Sequence, residues 1–115
     1  TRDIDTAIDK FIDGNYDSLF SAVAAKDTCV WSAPEGNYHS LTYDYDKRSR
    51  RQAISNLLIE NGSFYLFSSE GFRLSQNRLF GKIGHYLMDD WKVHEIDDMD
   101  DLKMCEFIYK SKKLE

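Results

Sequence analysis

Long apolar runs and cysteine are scarce in this chain of 115 residues, and its 15 basic residues are outnumbered by 20 acidic ones. No apolar run approaches the ~20 residues of a transmembrane helix, and no charged-then-apolar leader opens the sequence. The net charge of −5 argues against a general binder of nucleic acid or of anionic membranes. Cys29 and Cys105 are far apart in apolar contexts, which favours buried reduced thiols over a disulfide or metal pair. This cysteine usage fits an intracellular protein.

A glycine-rich phosphate-binding loop is also missing. The six glycines are dispersed and form neither a G-x-x-x-x-G-K-[ST] motif nor a related cluster. A hydrophobic content of 42%, with 14% aromatic residues, is nevertheless ordinary for a folded core. At this length we expect at most one domain, spanning residues 1–115. Because the chain begins at Thr1 rather than at methionine, we expect it to be a portion of a longer protein.

The start of the chain predicts a helix followed by a strand. An amphipathic stripe indicates the helix: Ile4, Ala7, Ile8, Phe11 and Ile12. We expect Asp3 to cap it and Gly14-Asn15 to end it. The short apolar run at 19–23 is typical of a buried strand. A helix that leads directly into such a strand indicates an α/β sheet covered by helices.

The middle of the chain is less regular. Two short strands are expected at 29–31 and 41–43, joined through a turn at 34–37. Several aromatic residues of this segment are expected at the surface, more than a small monomer needs: Trp31, Tyr38, Tyr43 and Tyr45. A basic cluster then lies on a loop or at a helix start: Lys47, Arg48, Arg50 and Arg51.

The remaining pattern predicts, in order, strands at 57–59 and 63–67, a helix from 68–70, strands at 86–88 and 92–96, and a helix from about Asp98 to Lys110. Taken alone, Asn61-Gly62 between two apolar runs predicts a hairpin turn. Acidic residues in the first turn of the last helix and lysines at its end match the helix dipole.

Glu95 and Asp97 flank Ile96 in the last predicted strand. Residues two apart on a strand project to the same face, so both carboxylates would point together while Ile96 packs inward. Two carboxylates at a strand end suit Mg²⁺, which commonly uses one or two carboxylates with substrate phosphates. The spacing by itself favours an ordinary edge strand with its acids in water. The residues alone leave both interpretations open.

Three segments in a fixed order carry a resemblance to a known family. They are Arg50-Arg51-Gln52, then Asn61-Gly62-Ser63-Phe64-Tyr65, and finally the acidic His94-Glu95-Ile96-Asp97-Asp98. Their order and spacing closely resemble the C-terminal portion of acylneuraminate cytidylyltransferases, the CMP-sialic acid synthetases. The resemblance covers almost the whole chain. It implies an α/β fold, part of a doubly wound, Rossmann-like nucleotidyltransferase sheet that lacks the N-terminal nucleotide-binding strands.

The resemblance also implies residue roles. Asp97 and Glu95 fall where the family carries an Asp-x-Asp that holds a catalytic Mg²⁺, and Glu95 departs from the usual Asp. Arg51 is implied as a catalytic and substrate-binding residue. The other residues implied to bind the acidic sugar are Gln52, Asn61, Tyr65, Phe80 and Lys82. Simpler roles stay open for four of these: a turn residue for Asn61, packed rings for Tyr65 and Phe80, and a solvated amine for Lys82.

The implied reaction transfers CMP from CTP to an N-acylneuraminate-type sugar of nine carbons and releases pyrophosphate. The family's habit, together with the exposed aromatic residues, predicts a homodimer in which residues near Arg51 reach the partner's site. No nucleic-acid or membrane partner is expected. The basic run at 47–51 resembles a nuclear-import sequence of animal members. We therefore expect a cytoplasmic protein, or a nuclear one if the source is an animal.

Two alternatives from the sequence remain. The chain could be a non-catalytic sugar-binding or dimerisation module, or part of a synthetase for a related acidic sugar, such as legionaminic, pseudaminic or deaminated sialic acid. Because no loop that could cradle the triphosphate is found, we expect these 115 residues alone to be inactive.

Overall fold

The computed structural model describes residues 2–26, 28–47 and 57–113. Its helices are α1 (Arg2–Asp13), α2 (Ser69–Ser75) and α3 (Met99–Ser111). Its strands are β1 (Ser18–Ala24), β2 (Trp31–Ser32), β3 (His39–Ser40), β4 (Leu58–Phe67) and β5 (Ile83–Leu87). The chain divides into two compact units, one formed by Thr1–Val23 with Glu60–Glu115 and the other by Ala24–Ile59. No helix within the described ranges is long and apolar enough to cross a membrane.

Helix α1 forms where the apolar stripe predicts it, but its start differs from the expected one. The helix already includes Asp3, so the prediction of Asp3 as the N-cap is wrong. Asp3 instead places its negative charge in the first turn, where the helix dipole favours it. The helix ends at Asp13, and Asn15 then adopts a φ of 53°, which asparagine tolerates better than most residues. The expected stop at Gly14-Asn15 is confirmed.

Strand β1 lies at the centre of a three-stranded sheet with the order β4-β1-β5. It runs parallel to β5, with Ser18 opposite Ile83 at one end of the ladder and Ala22 opposite Leu87 at the other. Side chains on both faces of this strand are buried: Ser18, Leu19, Ser21, Ala22 and Val23. The expected buried strand at 19–23 is therefore confirmed.

Strand β4 runs antiparallel to β1. The Ala25 N–H donates to the Leu57 carbonyl at 2.9 Å, and Ser21 hydrogen-bonds Asn61. Moving backward along the chain from Ala25 to Ser21 therefore corresponds to moving forward from Leu57 to Asn61. The sheet thus contains one parallel and one antiparallel ladder. This mixed sheet with its helices confirms the predicted α/β class and is consistent with part of a Rossmann-like sheet.

No turn forms at Asn61-Gly62, because β4 runs without a break from Leu58 to Phe67. The hairpin turn that Asn-Gly alone predicts is therefore wrong, and so is the division into two strands. Gly62 has a φ of +68°, and a glycine with positive φ inside a strand is typical of a bulge. The Asn-Gly pair is a local irregularity within one strand and does not join two strands.

In the unit formed by Ala24–Ile59, β2 and β3 make a short antiparallel hairpin. Trp31 pairs with Ser40, and the 3-10 turn Pro34–Gly36 lies between the strands. The expected hairpin is confirmed, although its second strand lies two residues before the predicted 41–43.

The strand predicted at 92–96 does not form. A 3-10 helix spans Asp90–Val93, and residues 94–96 belong to no strand. At Lys92 the backbone carbonyl accepts a hydrogen bond from the Asn61 side chain, Nδ2, whereas pairing as a strand would use a backbone N–H. The expectation that Glu95 and Asp97 share one strand face is therefore wrong.

The last helix begins with the capping arrangement that its acidic start indicates. The Asp101 N–H donates to Asp98 Oδ1 at 2.9 Å, and the Asp98 N–H donates back to Asp101 Oδ2 at 3.2 Å. This reciprocal capping box satisfies two backbone donors that the first helical turn would otherwise leave unpaired. The predicted helix from about Asp98 is confirmed as α3.

Both cysteines are free thiols. Cys29 is exposed and Cys105 is partly buried, so the prediction of two buried thiols is wrong, most clearly for Cys29. The apolar neighbours of Cys29 suggested burial, but two of them, Val30 and Trp31, are themselves exposed.

Candidate functional site

The residues implied by the resemblance are distributed over three parts of the fold. Asn61 and Tyr65 lie on β4, whereas Phe80 and Lys82 lie between α2 and β5. The acidic pair, Glu95 and Asp97, precedes α3. All six belong to the unit that contains Glu60–Glu115. The predicted Arg51 and Gln52 lie outside the described residues.

Asn61 is buried at 2% exposure, and its carboxamide is fully engaged within the chain. Its Oδ1 accepts hydrogen bonds from Ser21 Oγ at 2.6 Å and from the Ser63 N–H at 3.2 Å. Its Nδ2 donates to the Lys92 carbonyl at 3.0 Å and to Met88 Sδ at 3.2 Å. Asn61 therefore connects β1, β4 and the 3-10 helix that precedes the acidic pair.

Gly62 brings Glu95 against strand β4. A Cβ atom built on Gly62 would lie 2.5 Å from Glu95 Oε1 and 3.0 Å from its Cδ, so the carboxylate occupies the space that any other side chain would need. Two segments through which the sequence resembles the cytidylyltransferases, 61–65 and 94–98, thus meet in the fold although they are about 30 residues apart in the sequence.

Tyr65 carries a hydrogen bond and a stacked cation. Its hydroxyl donates to Glu60 Oε2 at 2.7 Å, and the Arg78 guanidinium carbon lies 4.2 Å from the centre of its ring. The hydrogen bond to Glu60 raises the pKa of Tyr65, with burial and the negative charge of Glu95 acting in the same direction. We call Glu60, Gly62, Tyr65, Arg78 and Glu95 the Gly62 cluster.

Arg78 and Glu60 are members of this cluster that the sequence did not single out. Glu60 precedes the Asn-Gly pair directly, so its position beside that motif was the available signal. Arg78 reaches Tyr65 from the segment after α2, 13 positions further along the chain. No periodicity links residues at that separation, so only the fold could reveal the contact.

Phe80 lies in a second group, next to the start of β1. A Cβ on Gly71 would lie 2.2 Å from its ring, which shows how closely the ring packs against α2. Its backbone N–H donates to Ser18 Oγ at 2.9 Å, and its carbonyl accepts from the same hydroxyl at 2.7 Å. Phe80 is therefore a half-buried packing residue.

Lys82 makes its described contacts within the chain. Its ammonium donates to the Gly14 carbonyl at 2.7 Å and lies 4.9 Å from the centre of the Tyr16 ring. Its N–H donates to Asp17 Oδ2 at 2.6 Å. These bonds tie the loop after α1 to the start of β5.

Asp97 and Glu95 offer the kind of ligand that Mg²⁺ prefers. Both residues are exposed, so a cation held by their oxygens could keep several waters or bind phosphate. Over residues 2–26, 28–47 and 57–113, no three His, Cys, Asp or Glu side chains are grouped as a ligand set. Each of the two carboxylates is, by its chemistry, a donor of the type that Mg²⁺ takes from proteins one or two at a time.

Lys92 is held at its side chain as well as its backbone. Its ammonium forms an ion pair with Asp3 Oδ2 at 2.6 Å, and the Tyr86 hydroxyl donates to Asp3 Oδ1 at 2.9 Å. The hydrogen bond from Lys92 is the main cause that lowers the pKa of Asp3, although burial opposes it. Burial, followed by the bond to Asp3, raises the pKa of Tyr86. This arrangement joins the start of α1 to β5 and to the 3-10 helix.

The lowered pKa of Asp3 predicts a pH dependence of stability. A carboxylate with a depressed pKa in the folded state stabilises the fold above its ordinary value of 3.8, and this contribution is lost as the pH falls through the folded value. We expect Asp3→Asn to lower the melting temperature at pH 6. The difference from wild type should shrink as the pH falls below 3.8, where the unfolded chain takes up the proton first, and should be lost below the lower pKa of Asp3 in the folded state. Thermal melts from pH 2.5 to 6 measure it, and a constant difference would contradict the role of Asp3.

No protein family model matches this chain. A curated relative is the Post-translational flagellin modification protein B of Campylobacter coli, which is 28% identical over 127 aligned residues. The alignment covers 100% of this chain and 49% of the relative, so the chain spans about half the length of that protein.

Proposed function

We propose that this chain is the C-terminal portion of a cytidylyltransferase that transfers CMP from CTP to an acidic nine-carbon sugar of the N-acylneuraminate type and releases pyrophosphate. The observation that carries the proposal is the contact between Glu95 and Gly62. The sugar-site motif and the acidic motif resemble the same family independently, and a shared active site requires them to be adjacent.

The Gly62 cluster supplies groups suited to an acidic sugar. The Arg78 guanidinium lies over an aromatic ring and presents planar donors that match a carboxylate. Glu60 and the hydroxyl of Tyr65 can exchange hydrogen bonds with sugar hydroxyls. Arg51, Gln52 and Phe80 stay proposed sugar-binding residues because the resemblance implies these roles for them. Their contribution is to orient the anomeric hydroxyl for attack on the α-phosphorus of CTP.

Glu95 and Asp97 are proposed to hold Mg²⁺. When bound, the metal would neutralise charge that develops on the phosphates and would favour ionisation of the attacking hydroxyl. Glu95 lies against Gly62 of β4, and Asp97 directly precedes Asp98, the N-cap of α3. The Asp97 N–H is fixed by a 3.0 Å hydrogen bond to Asp101 Oδ2, which ties this residue to the helix cap.

The curated relative supports a role in sugar activation. Its name describes a protein of flagellin modification, and glycosylation is one of the covalent modifications that proteins undergo. Glycosylation consumes activated sugars, so a synthetase of a nucleotide-linked sugar would suit that role. Legionaminic, pseudaminic and deaminated sialic acids therefore stay within the proposed substrate class.

Exposed apolar surface supports the proposal that the chain is part of a larger enzyme. β5 is an edge strand of the described sheet, and its Ile83 and Leu87 are 49% and 52% exposed. Ile8 and Ile12 on α1 are exposed as well. Such an edge and helix face can receive the nucleotide-binding strands that the resemblance implies.

Turnover by the longer protein tests the proposed function. We expect it to release pyrophosphate from CTP in the presence of Mg²⁺ and one acidic nine-carbon sugar, and not with neutral hexoses. The 115-residue chain alone should release none. Sugar binding without turnover by the longer protein would instead support a non-catalytic binding module. Turnover by this chain alone would contradict the proposed division of the site.

The exposed aromatic residues of the second unit predict a homodimer. Tyr38 is 70% exposed and Tyr45 58% exposed, beside the partly exposed ring of Trp31. Removing one large interface ring commonly weakens association by about tenfold. We therefore expect Tyr38→Ser to raise the dimer dissociation constant by about that factor in light scattering or sedimentation. Phe107→Ser, at a ring that is 68% exposed on α3, is the matched control. A monomeric wild type at high micromolar concentration would contradict this interface.

A further inference from the structure

We infer that Asn61 and Gly62 position Glu95 for cation binding, an inference that rests on the proposed function. Neither Asn61 nor Gly62 would touch the cation. One acts through a buried amide and the other through the space left by its missing Cβ. The Asn-Gly pair would thus hold in place the side chain of Glu95, which lies 33 positions after Gly62 in the sequence.

The amide of Asn61 fixes the backbone that leads to Glu95. At one end it accepts from the Ser63 N–H, which can only donate, and at the other it donates to the Lys92 carbonyl, which can only accept. The amide therefore has one favourable orientation. Because Asn61 is almost fully buried, water does not compete for these bonds. Lys92 is thereby held against β4 three residues before Glu95.

A second anchor acts on the same residue. The Lys92 ammonium pairs with Asp3 on α1, so both the backbone and the side chain of Lys92 are tied to neighbouring elements. The segment from Lys92 to Glu95 thus starts from a fixed point. Only a short stretch of chain remains free to vary between this anchor and the carboxylate.

Gly62 defines where that carboxylate comes to rest. The Glu95 side chain lies in the space that a Cβ at position 62 would fill, 2.5 Å from Oε1. The positive φ of Gly62 alone does not explain this contact. Gly36 has a similar φ of +79°, and a Cβ built there would meet nothing within 4 Å. The two glycines share a backbone conformation and differ in the neighbour they accommodate.

Mn²⁺ binding by the 115-residue chain tests the inference. Mn²⁺ shares the oxygen preference of Mg²⁺ and is visible by electron paramagnetic resonance. We expect Gly62→Ala to weaken Mn²⁺ binding by about tenfold, the lower range for changes that displace a metal ligand indirectly. Gly36→Ala should impose comparable backbone strain and leave Mn²⁺ affinity unchanged. The double variant G62A/E95D should recover affinity relative to G62A, because the shorter side chain withdraws its carboxylate from the added methyl group.

Glu95→Gln separates the two levels of the proposal. If Glu95→Gln weakens Mn²⁺ binding while Gly62→Ala binds as wild type does, the positioning role is overturned and the proposed metal site stands. If Glu95→Gln binds Mn²⁺ as wild type does, both are overturned. If Gly62→Ala does not fold, thermal melts of G62A/E95D decide. Recovery of a folding transition supports the contact with Glu95, and its absence overturns the inference.

Discussion

Replacing Asp97 by Asn in the longer protein should lower kcat by about 10²–10³-fold, the scale for losing a group that stabilises transition-state charge. The substitution keeps the shape of the side chain but removes the charge that a magnesium ligand needs. Asp97 is exposed, so the melting temperature should barely change. Glu95→Gln should also be damaging, but less so, since Glu95 departs from the Asp that the resembled family carries at this place. The measurement is kcat at saturating CTP, sugar and Mg²⁺.

Asp100→Asn is the matched control for this experiment. Asp100 is an acid in the first turn of α3, and its contact with Lys103 is 3.7 Å long between two highly exposed side chains. Such a pair contributes little to stability. If the effect of Asp97→Asn came from the general negative potential near α3, Asp100→Asn would reproduce it. An Asp97→Asn enzyme that retains most of its activity would remove Asp97 from the metal site.

The elements predicted correctly are those that short-range interactions specify. The stripe of α1 repeats at helical spacing, and the apolar run of β1 has the length of a buried strand. The capping box of α3 joins Asp98 to a residue only three positions later. In each case the residues that decide the structure lie close together in the sequence, so the pattern can be seen there.

The elements predicted wrongly depend on distant partners. Asn-Gly has the local chemistry of a hairpin turn, but the hydroxyl of Ser21 and the carbonyl of Lys92 engage Asn61 within a continuous strand. The alternation at 92–96 has the local pattern of a strand, but no neighbouring strand pairs with it among the described residues. A strand needs a partner, and the pattern of one segment cannot supply it.

The roles that the resemblance implies for the site residues stay predictions, and the fold shows only which of these residues lie together. The resemblance pointed to Asn61 and Tyr65 on β4 and to Glu95 before α3, and the fold brings these two segments together. It did not point to Arg78, because the contact with Tyr65 depends on how the chain returns after α2. For Arg51 and Gln52 the roles stay predictions, since both lie outside the described residues.

Asn61→Leu should lower the free energy of unfolding by about 3 kcal/mol. Leucine has a similar size, so the main loss is hydrogen bonding and not packing. The Lys92 carbonyl and the Ser63 N–H would each lose a partner at a buried or half-buried position. Leaving a buried polar group unpaired costs about 1–3 kcal/mol each. Because small domains are stable by only about 5–15 kcal/mol, the loss should be plain in urea unfolding.

Asn37→Leu provides the control for the Asn61 substitution. Asn37 is exposed, and its described hydrogen bond to Pro34 uses the backbone N–H, which leucine retains. Its effect should stay within about 0.5 kcal/mol. A loss below about 1 kcal/mol for Asn61→Leu would show that the buried amide does not hold β4 to the segment before Glu95. A large loss confined to Asn61 would show that the Asn-Gly pair acts within the core of the unit and not at a surface turn.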